Sequence, residues 1–373
     1  MPPSTGKAYI GIMSGTSLDA VDAVVIDVDS SGQARAKAGA SVELPPALRH
    51  ELLALNASGP DELGQAALAA AELATLYAEA VAEVLDTVGM VAADIAAIGA
   101  HGQTVRHRPD LGYTVQLNAP ARLAHLTGID VVADFRSRDI AAGGQGAPLV
   151  PAFHAAQFSS GQTRVVLNLG GIANITILNA DGNILGFDTG PANMLMDAWV
   201  QRHQGQAYDK DGEWAASGQP LPGLLANMLA DPWFSLAPPK STGRDDFNPL
   251  WLERQLAEAR IKDIDVDAAD VQATLLHLTA QSVASAISRY AGDVNDVLVC
   301  GGGAHNKALM GALQTALPCS PLSSTDEHGL PAQWVEAAAF GWLAWCYDTR
   351  TPAGLPAVTG ARKPTILGCK YLA

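Results

Sequence analysis

Three glycine-rich segments stand directly after apolar runs. Ser14-Gly-Thr-Ser-Leu-Asp19 follows Tyr9-Ile-Gly-Ile-Met13, Gly170-Gly171 follows Val165-Val-Leu-Asn-Leu169, and Gly301-Gly-Gly-Ala-His-Asn306 follows Asp296-Val-Leu-Val-Cys300. Glycine lets backbone N–H groups approach an anion, and a neighbouring hydroxyl adds a donor or sits beside a bound cation. One such tip serves equally as a structural turn. Three of them, two in matching positions of a repeat, point to a nucleotide site. The Gly-x4-Gly-Lys-Ser/Thr pattern is absent, and Asn306 stands where Gly-x-Gly-x-x-Gly needs its last glycine, so P-loop and dinucleotide folds are disfavoured.

Acid–base chemistry has one candidate. In Gly186-Phe-Asp-Thr-Gly-Pro-Ala-Asn193, Asp188 follows an apolar strand and precedes the amphipathic run Met194 to Val200, with Thr189 or Asn193 able to cap the helix behind it. A carboxylate there reads as a general base or as a solvated turn residue, and the glycine tips favour the base. His101-Gly-Gln-Thr-Val-Arg106 and Asp134-Phe-Arg-Ser-Arg-Asp139 also place polar residues just after apolar strands, where ligands of α/β folds collect. Their structural alternatives are a capped core histidine at His101 and an ion-pair network of Arg136 and Arg138 with Asp134 and Asp139. No zinc spacing occurs. Tyr208-Asp-Lys-Asp-Gly-Glu213 starts like a calcium loop, but Pro220 occupies the twelfth place from Asp209, so it reads as a surface turn.

The elements that must carry these residues alternate. A hairpin runs Tyr9–Met13 and Ala23–Val28, then helical spacing extends from Ala47 to Val88 with a break at Ser58-Gly-Pro60. Strand-like pieces follow at Ile95–Ala100, Tyr113–Leu117 and Asp130–Ala133, alternating with helical pieces as in an α/β domain. A second hairpin, Val165–Leu169 and Asn174–Leu178, repeats the opening device, so two related halves are expected. Gly143-Gly-Gln-Gly-Ala-Pro148 breaks regular structure between them, giving lobes 1–145 and 146–373. Asp296–Cys300 is a further strand, with a helix after it reaching Leu313.

Composition bounds the partners. The chain has 373 residues, 48% hydrophobic and 16% charged, and a net charge of −15. That apolar fraction can bury a large core, and a sequence pI of about 4.9 disfavours a nucleic-acid partner. The longest apolar run, Ala66–Val88, is interrupted by Glu72, Glu79, Glu83 and Asp86, well short of the ~20 apolar residues that cross a bilayer. The N-terminus lacks the features of a secretory signal, and Cys300, Cys319, Cys346 and Cys369 show no Cys-x-x-Cys spacing, which fits reduced thiols in a cytoplasm.

Six segments in order, Gly11-Ile-Met-Ser-Gly-Thr-Ser-Leu-Asp19, Ala100-His-Gly-Gln-Thr104, Val132-Ala-Asp-Phe-Arg136, Ala141-Ala-Gly-Gly-Gln-Gly-Ala-Pro-Leu-Val-Pro151, Gly186-Phe-Asp-Thr-Gly-Pro191 and Cys300-Gly-Gly-Gly303, closely resemble the anhydro-N-acetylmuramic acid kinase family. The resemblance covers about Ile10 to Gly368. It implies a duplicated two-lobe actin-like ATPase fold, that of the acetate and sugar kinase, Hsp70 and actin superfamily, closing over ATP. It further implies that Gly15, Thr16, Ser17, Leu18 and Asp19, with Ala20, Val21 and Asp22 behind them, hold the phosphates. Gly170 and Gly171 would do so from the second lobe, with Gly301, Gly302, Gly303 and Asn306 beside the adenosine. Asp188 is then the base for a reaction with ATP and Mg²⁺ that opens the 1,6-anhydro ring of 1,6-anhydro-N-acetylmuramic acid and phosphorylates O6, in cell-wall recycling. His101, Thr104, Arg138 and Glu336 resemble sugar-facing residues, and a homodimer is implied.

Two positions depart from the family pattern. Ala20 stands where glycine is usual after Leu-Asp, and Ala192 where Gly-Pro-Gly-Asn is usual; a positive φ at either would strain the loop. The competing readings are an ATP-dependent switch or chaperone-like protein on the same fold, disfavoured because no domain follows the second lobe, and a kinase for another amino sugar.

Overall fold

The computed structural model describes residues 8–15, 18–259 and 266–373. They divide into two compact units, Met1–Gln157 with Gly329–Ala373, and Phe158–His328.

In the first unit the apolar runs become β1 (Ala8–Ser14), β2 (Ala20–Val28), β3 (Ala34–Glu43) and β4 (Ile95–Ala100), followed by a separate small hairpin of β5 (Gln103–Arg108) and β6 (Tyr113–Leu117), and then β7 (Val131–Ala133). The hairpin β1–β2 and its neighbour β3 are antiparallel, whereas β4 and β7 join parallel to β1 and to β4. Strand period 2 assigns the two faces of β1. Ile10 and Ile12 are fully buried in the core that includes Leu73, Tyr77 and Val81 of the helix Glu62–Val88. Gly11 between them faces the other way, where an added Cβ would stand 1.7 Å from the Ala337 carbonyl oxygen. Gly99 on β4 has the same relation to the Phe340 carbonyl, at 1.9 Å. These two glycines therefore let the backbone of the helix Val335–Asp348 lie directly against the sheet.

This packing explains why the division of the chain differs from the expected 1–145 and 146–373. Residues 329–373 return to the first unit because their helix needs the flat glycine surface of β1 and β4. The helix Pro151–Phe158 is likewise tied to β3, with Ala34 N–H donating to Gln157 Oε1 and Gln157 Nε2 donating to the Ala34 carbonyl, both at 2.9 Å.

The second unit repeats the pattern with β8 (Arg164–Leu169), β9 (Ile172–Leu178), β10 (Ile184–Pro191), β11 (Asp296–Cys300) and β12 (Leu322–Ser324). Its order is β10-β9-β8-β11-β12, and that of the first unit is β13-β7-β4-β1-β2-β3, where β13 (Cys369–Tyr371) pairs antiparallel with β7. In both, three antiparallel strands built on a hairpin are continued by two parallel ones. Duplication, inferred from two hairpins, is thus a property of the whole strand order.

Smaller expectations meet mixed outcomes. The helical stretch from Ala47 forms as Pro46–Ala54 and Glu62–Val88, broken around Ser58-Gly-Pro60. The four cysteines are free thiols, with Cys300 and Cys346 buried and Cys319 and Cys369 exposed. The turn at Asp209 lies at the surface, with Tyr208, Lys210 and Glu213 exposed, but Asp209 itself is buried, and its carboxylate accepts the amides of Trp214 and Ala215 at 3.0 and 2.9 Å, capping the next helix. Among the described residues no helix is long and apolar enough to cross a membrane.

Candidate active site

The first glycine tip joins β1 to β2. Thr16 and Ser17 lie outside the described residues. On either side of them, Leu18 N–H donates to the Gly15 carbonyl at 3.2 Å, and Leu18 takes a left-handed φ of 57° with its side chain buried. The exposed Asp19 carboxylate is 3.3 Å from Arg49. Ala20, Val21 and Asp22 already belong to β2, opposite Glu43, Val42 and Ser41. Burial raises the pKa of the Asp22 carboxyl, opposed by a hydrogen bond from Ser41.

The second tip is braced by the chain that follows Asp188. The amides of Asn193 and Ala192 donate to the carbonyls of Gly170 and Gly171 at 3.1 and 3.0 Å, and Asn193 Nδ2 donates to the Leu169 carbonyl. The third tip packs against the end of β8: a Cβ on Gly301, which has φ 80°, would meet Asn168 Oδ1 at 2.4 Å, and one on Gly303 would meet Leu169 Cβ at 2.6 Å. Open space surrounds Gly302. Asn306 Oδ1 accepts the Leu309 amide at 3.0 Å, so this side chain caps the helix Lys307–Ala316.

Asp188 sits on β10 at a bulge. Its pairing with Asn174 is followed by Gly190 opposite Ala173, which leaves Thr189 as the extra residue, buried and donating to the Ala173 carbonyl at 3.2 Å. A bulge re-aims the side chains beside it. Gly190 supplies a φ of 141°, which lies in the glycine region, and its missing side chain makes room for the Phe234 ring, since a Cβ would be 2.7 Å from Cε1. The carboxylate is held by the later segment Lys240-Ser-Thr242. Thr242 N–H donates to Asp188 Oδ2 at 2.9 Å, and Asp188 N–H donates to the Lys240 carbonyl at 3.1 Å. Sequence reasoning missed Lys240 and Thr242; the signal was the polar run Lys240-Ser-Thr-Gly-Arg-Asp-Asp246 after Pro238-Pro239.

In the first unit, His101 is buried with its ring tilted against that of Phe340, centroids 4.7 Å apart, and Nε2 accepts from Arg136 Nε at 2.8 Å. Burial first, and then Arg136, hold its pKa well below the ordinary value. The imidazole is therefore neutral, with its proton on Nδ1. Arg136 also donates to the Gly146 carbonyl at 2.9 Å, while Asp139 accepts from Gly146 N–H and Thr359, and Asp134 accepts from Tyr371. Thr104 Oγ1 accepts from Gln116 at 3.2 Å, Arg138 is exposed on the short helix Phe135–Ala141, and Glu336 is half-buried in the first turn of Val335–Asp348.

A family model described as anhydro-N-acetylmuramic acid kinase matches residues 7–373. The chain belongs to the anhydro-N-acetylmuramic acid kinase family. It is similar to the anhydro-N-acetylmuramic acid kinase of Bordetella parapertussis, at 60% identity over 370 residues, covering 98% of this chain and 96% of that protein. The family member from Variovorax paradoxus is 53% identical over 376 residues, covering 98% and 99%. Among solved structures, component A of (R)-2-hydroxyglutaryl-CoA dehydratase from Acidaminococcus fermentans superposes with a TM-score of 0.50 at 16% identity, covering 90% of this chain and 97% of that one. That likeness concerns the fold alone, the duplicated two-lobe actin-like ATPase fold. The two departures from the family pattern carry no left-handed strain. Ala20 is in a paired strand, and Ala192 has φ −122°; positive φ falls on Leu18 and Gly190 instead.

Proposed function

We propose that Asp188 is the general base with which this family member, as an ATP-dependent kinase, opens 1,6-anhydro-N-acetylmuramic acid and phosphorylates the freed O6. Asp188 takes a proton from a water attacking C1, the C1–O6 bond breaks, and O6 accepts the γ-phosphoryl group. The products are N-acetylmuramic acid 6-phosphate and ADP. Cleaving the bicyclic sugar creates the nucleophilic oxygen already positioned, which lowers the entropic part of the barrier. The observation that carries this reading is the carboxylate of Asp188, aimed by a bulge and fixed by the Thr242 amide at 2.9 Å. An oriented carboxylate is what proton abstraction in a transition state requires.

Phosphate binding is assigned to backbone amides of the tips at Gly15–Asp19 and Gly170–Gly171, with Gly301–Gly303 and Asn306 toward the adenosine. The open space at Gly302 supports a close backbone approach there. A bound Mg²⁺ would supply charge neutralisation for the transferring phosphoryl. Among the described residues no three His, Cys, Asp or Glu side chains gather as a metal cage. Mg²⁺ fits that donor set, because it keeps waters and takes one or two carboxylates plus substrate phosphates, for which the exposed Asp19 is suited. Sugar recognition is assigned to Thr104, Arg138 and Glu336, with neutral His101 acting by holding Arg136. Within the same reading the protein works in the cytoplasm as a homodimer without a nucleic-acid or membrane partner; the charge of −15 supports the exclusion of nucleic acid.

The test is turnover of the anhydro-sugar with ATP and Mg²⁺ in ¹⁸O-water, followed by mass spectrometry. A ring-opened phosphorylated product carrying the label at C1 is expected. Unchanged sugar with folded protein, or label absent from C1, refutes the reaction as written.

A further inference from the structure

The segment that clamps Asp188 has no helix or strand of its own from Leu236 to Thr242, so it is as rigid as its anchors. One anchor is the Lys240 side chain. Its ammonium sits 4.2 Å from the centre of the Trp233 ring and donates to the carbonyls of Trp233 and Phe234 at 3.4 and 3.3 Å. The turn bearing those carbonyls, Pro232–Ser235, is itself fixed: Asp231 accepts the Trp233 amide at 3.0 Å and the Trp251 indole N–H at 2.9 Å. Phe234 of that turn fills the space left by Gly190 in the bulge. Lys240 thus joins both pieces of chain that set the aim of Asp188, the clamp in front and the aromatic turn behind the bulge. Burial and Arg289 disfavour its charge, whereas the Asp188 carboxylate favours it, so the two side chains also interact electrostatically.

We propose that Lys240 is a positioning residue for the base, fixing Asp188 through residues 240–242 and the Trp233–Phe234 turn without touching the substrate. The proposal rests on the assignment of Asp188 as base. An ammonium is suited to this task because it supplies several donors to converging carbonyls and a charge for the indole face.

The experiment compares Lys240→Met, Lys240→Gln and Lys240→Arg in the full chain, each checked for folding by circular dichroism. Lys240→Met should lower kcat about 10- to 100-fold, the scale of a small misplacement of a reacting group. KM for the sugar should stay within about threefold, since uniform binding is untouched. Lys240→Gln should show an intermediate loss, and Lys240→Arg should recover to within about fivefold, because guanidinium also stacks on indole and donates to carbonyls. Added to Asp188→Asn, Lys240→Met should change the residual turnover less than about twofold, as expected for residues acting as a unit. Wild-type kcat in folded Lys240→Met or Lys240→Gln overturns the proposal, as does a rise in sugar KM alone or a full multiplicative loss on top of Asp188→Asn. Near-normal turnover of Asp188→Asn removes the base and this proposal together; an inactive Asp188→Asn beside an unimpaired Lys240→Met removes only the latter.

Discussion

Asp188 shows how far residue-level reading reaches. Its place between an apolar strand and a helix made it a candidate base or turn residue, the glycine tips favoured the base, and the structure adds the bulge and the Thr242 amide that orient its carboxylate. That amide comes from 54 residues further along the chain, and no local pattern encodes such a contact. Asp188→Asn keeps the size and removes the proton acceptor. It should lower turnover by about 10²–10⁴-fold and leave ATP binding, measured by calorimetry, nearly unchanged. Near-normal turnover would take the base away. Two other candidate residues have structural contacts in the fold: Asn306 caps a helix, and His101 accepts from Arg136 in a buried setting.

At the scale of elements, the hairpins and the strands Ile95–Ala100, Tyr113–Leu117 and Asp296–Cys300 were legible because apolar and β-branched residues dominate them. The strands β3 and β5 were not. β3 reads Ala-Arg-Ala-Lys-Ala-Gly-Ala-Ser-Val-Glu, where alanine supplies the alternation but little strand preference, and pairing with β2 decides. The glycines of β1 and β4 likewise gain meaning only through the helix that packs on them. Gly11→Ala and Gly99→Ala each push a Cβ into a helix carbonyl and should cost about 3 kcal/mol or more, at or above the upper end of overpacking effects. Gly311 lies inside the helix Lys307–Ala316 with nothing within 4 Å of an added Cβ. Gly311→Ala should therefore stabilise by about 0.5–1 kcal/mol through helix propensity. Urea titrations of the three variants provide the check, and a neutral Gly11→Ala would contradict the close helix–sheet packing.

At the scale of the whole molecule, pH should act through buried imidazoles. His154 is fully buried, and burial lowers its pKa to about 3; His101 is lowered well below its ordinary value by burial and Arg136. Both are neutral in the fold and take up protons only on unfolding as pH falls below about 6.5. Their contribution is therefore fully present above that pH and is lost on acidification, each by about 1.4 kcal/mol per pH unit. Urea stability should fall between pH 7 and 5, and His154→Gln should flatten that slope; an unchanged slope would show that His154 does not carry it. The duplication was foreseeable from two hairpins and the family from six short segments, whereas the shared order, three antiparallel strands continued by two parallel ones, emerged only from the structure. By itself the sequence determined most element types, the duplication and the residue kinds available for chemistry, because hydrophobic period and glycine placement are local properties. Only the tertiary structure decided that the C-terminal helix belongs with the first sheet, and that Lys240 and Thr242 hold Asp188. Those depend on backbone surfaces and on contacts between segments far apart in the chain, which become neighbours only when the sheets and their helices have packed.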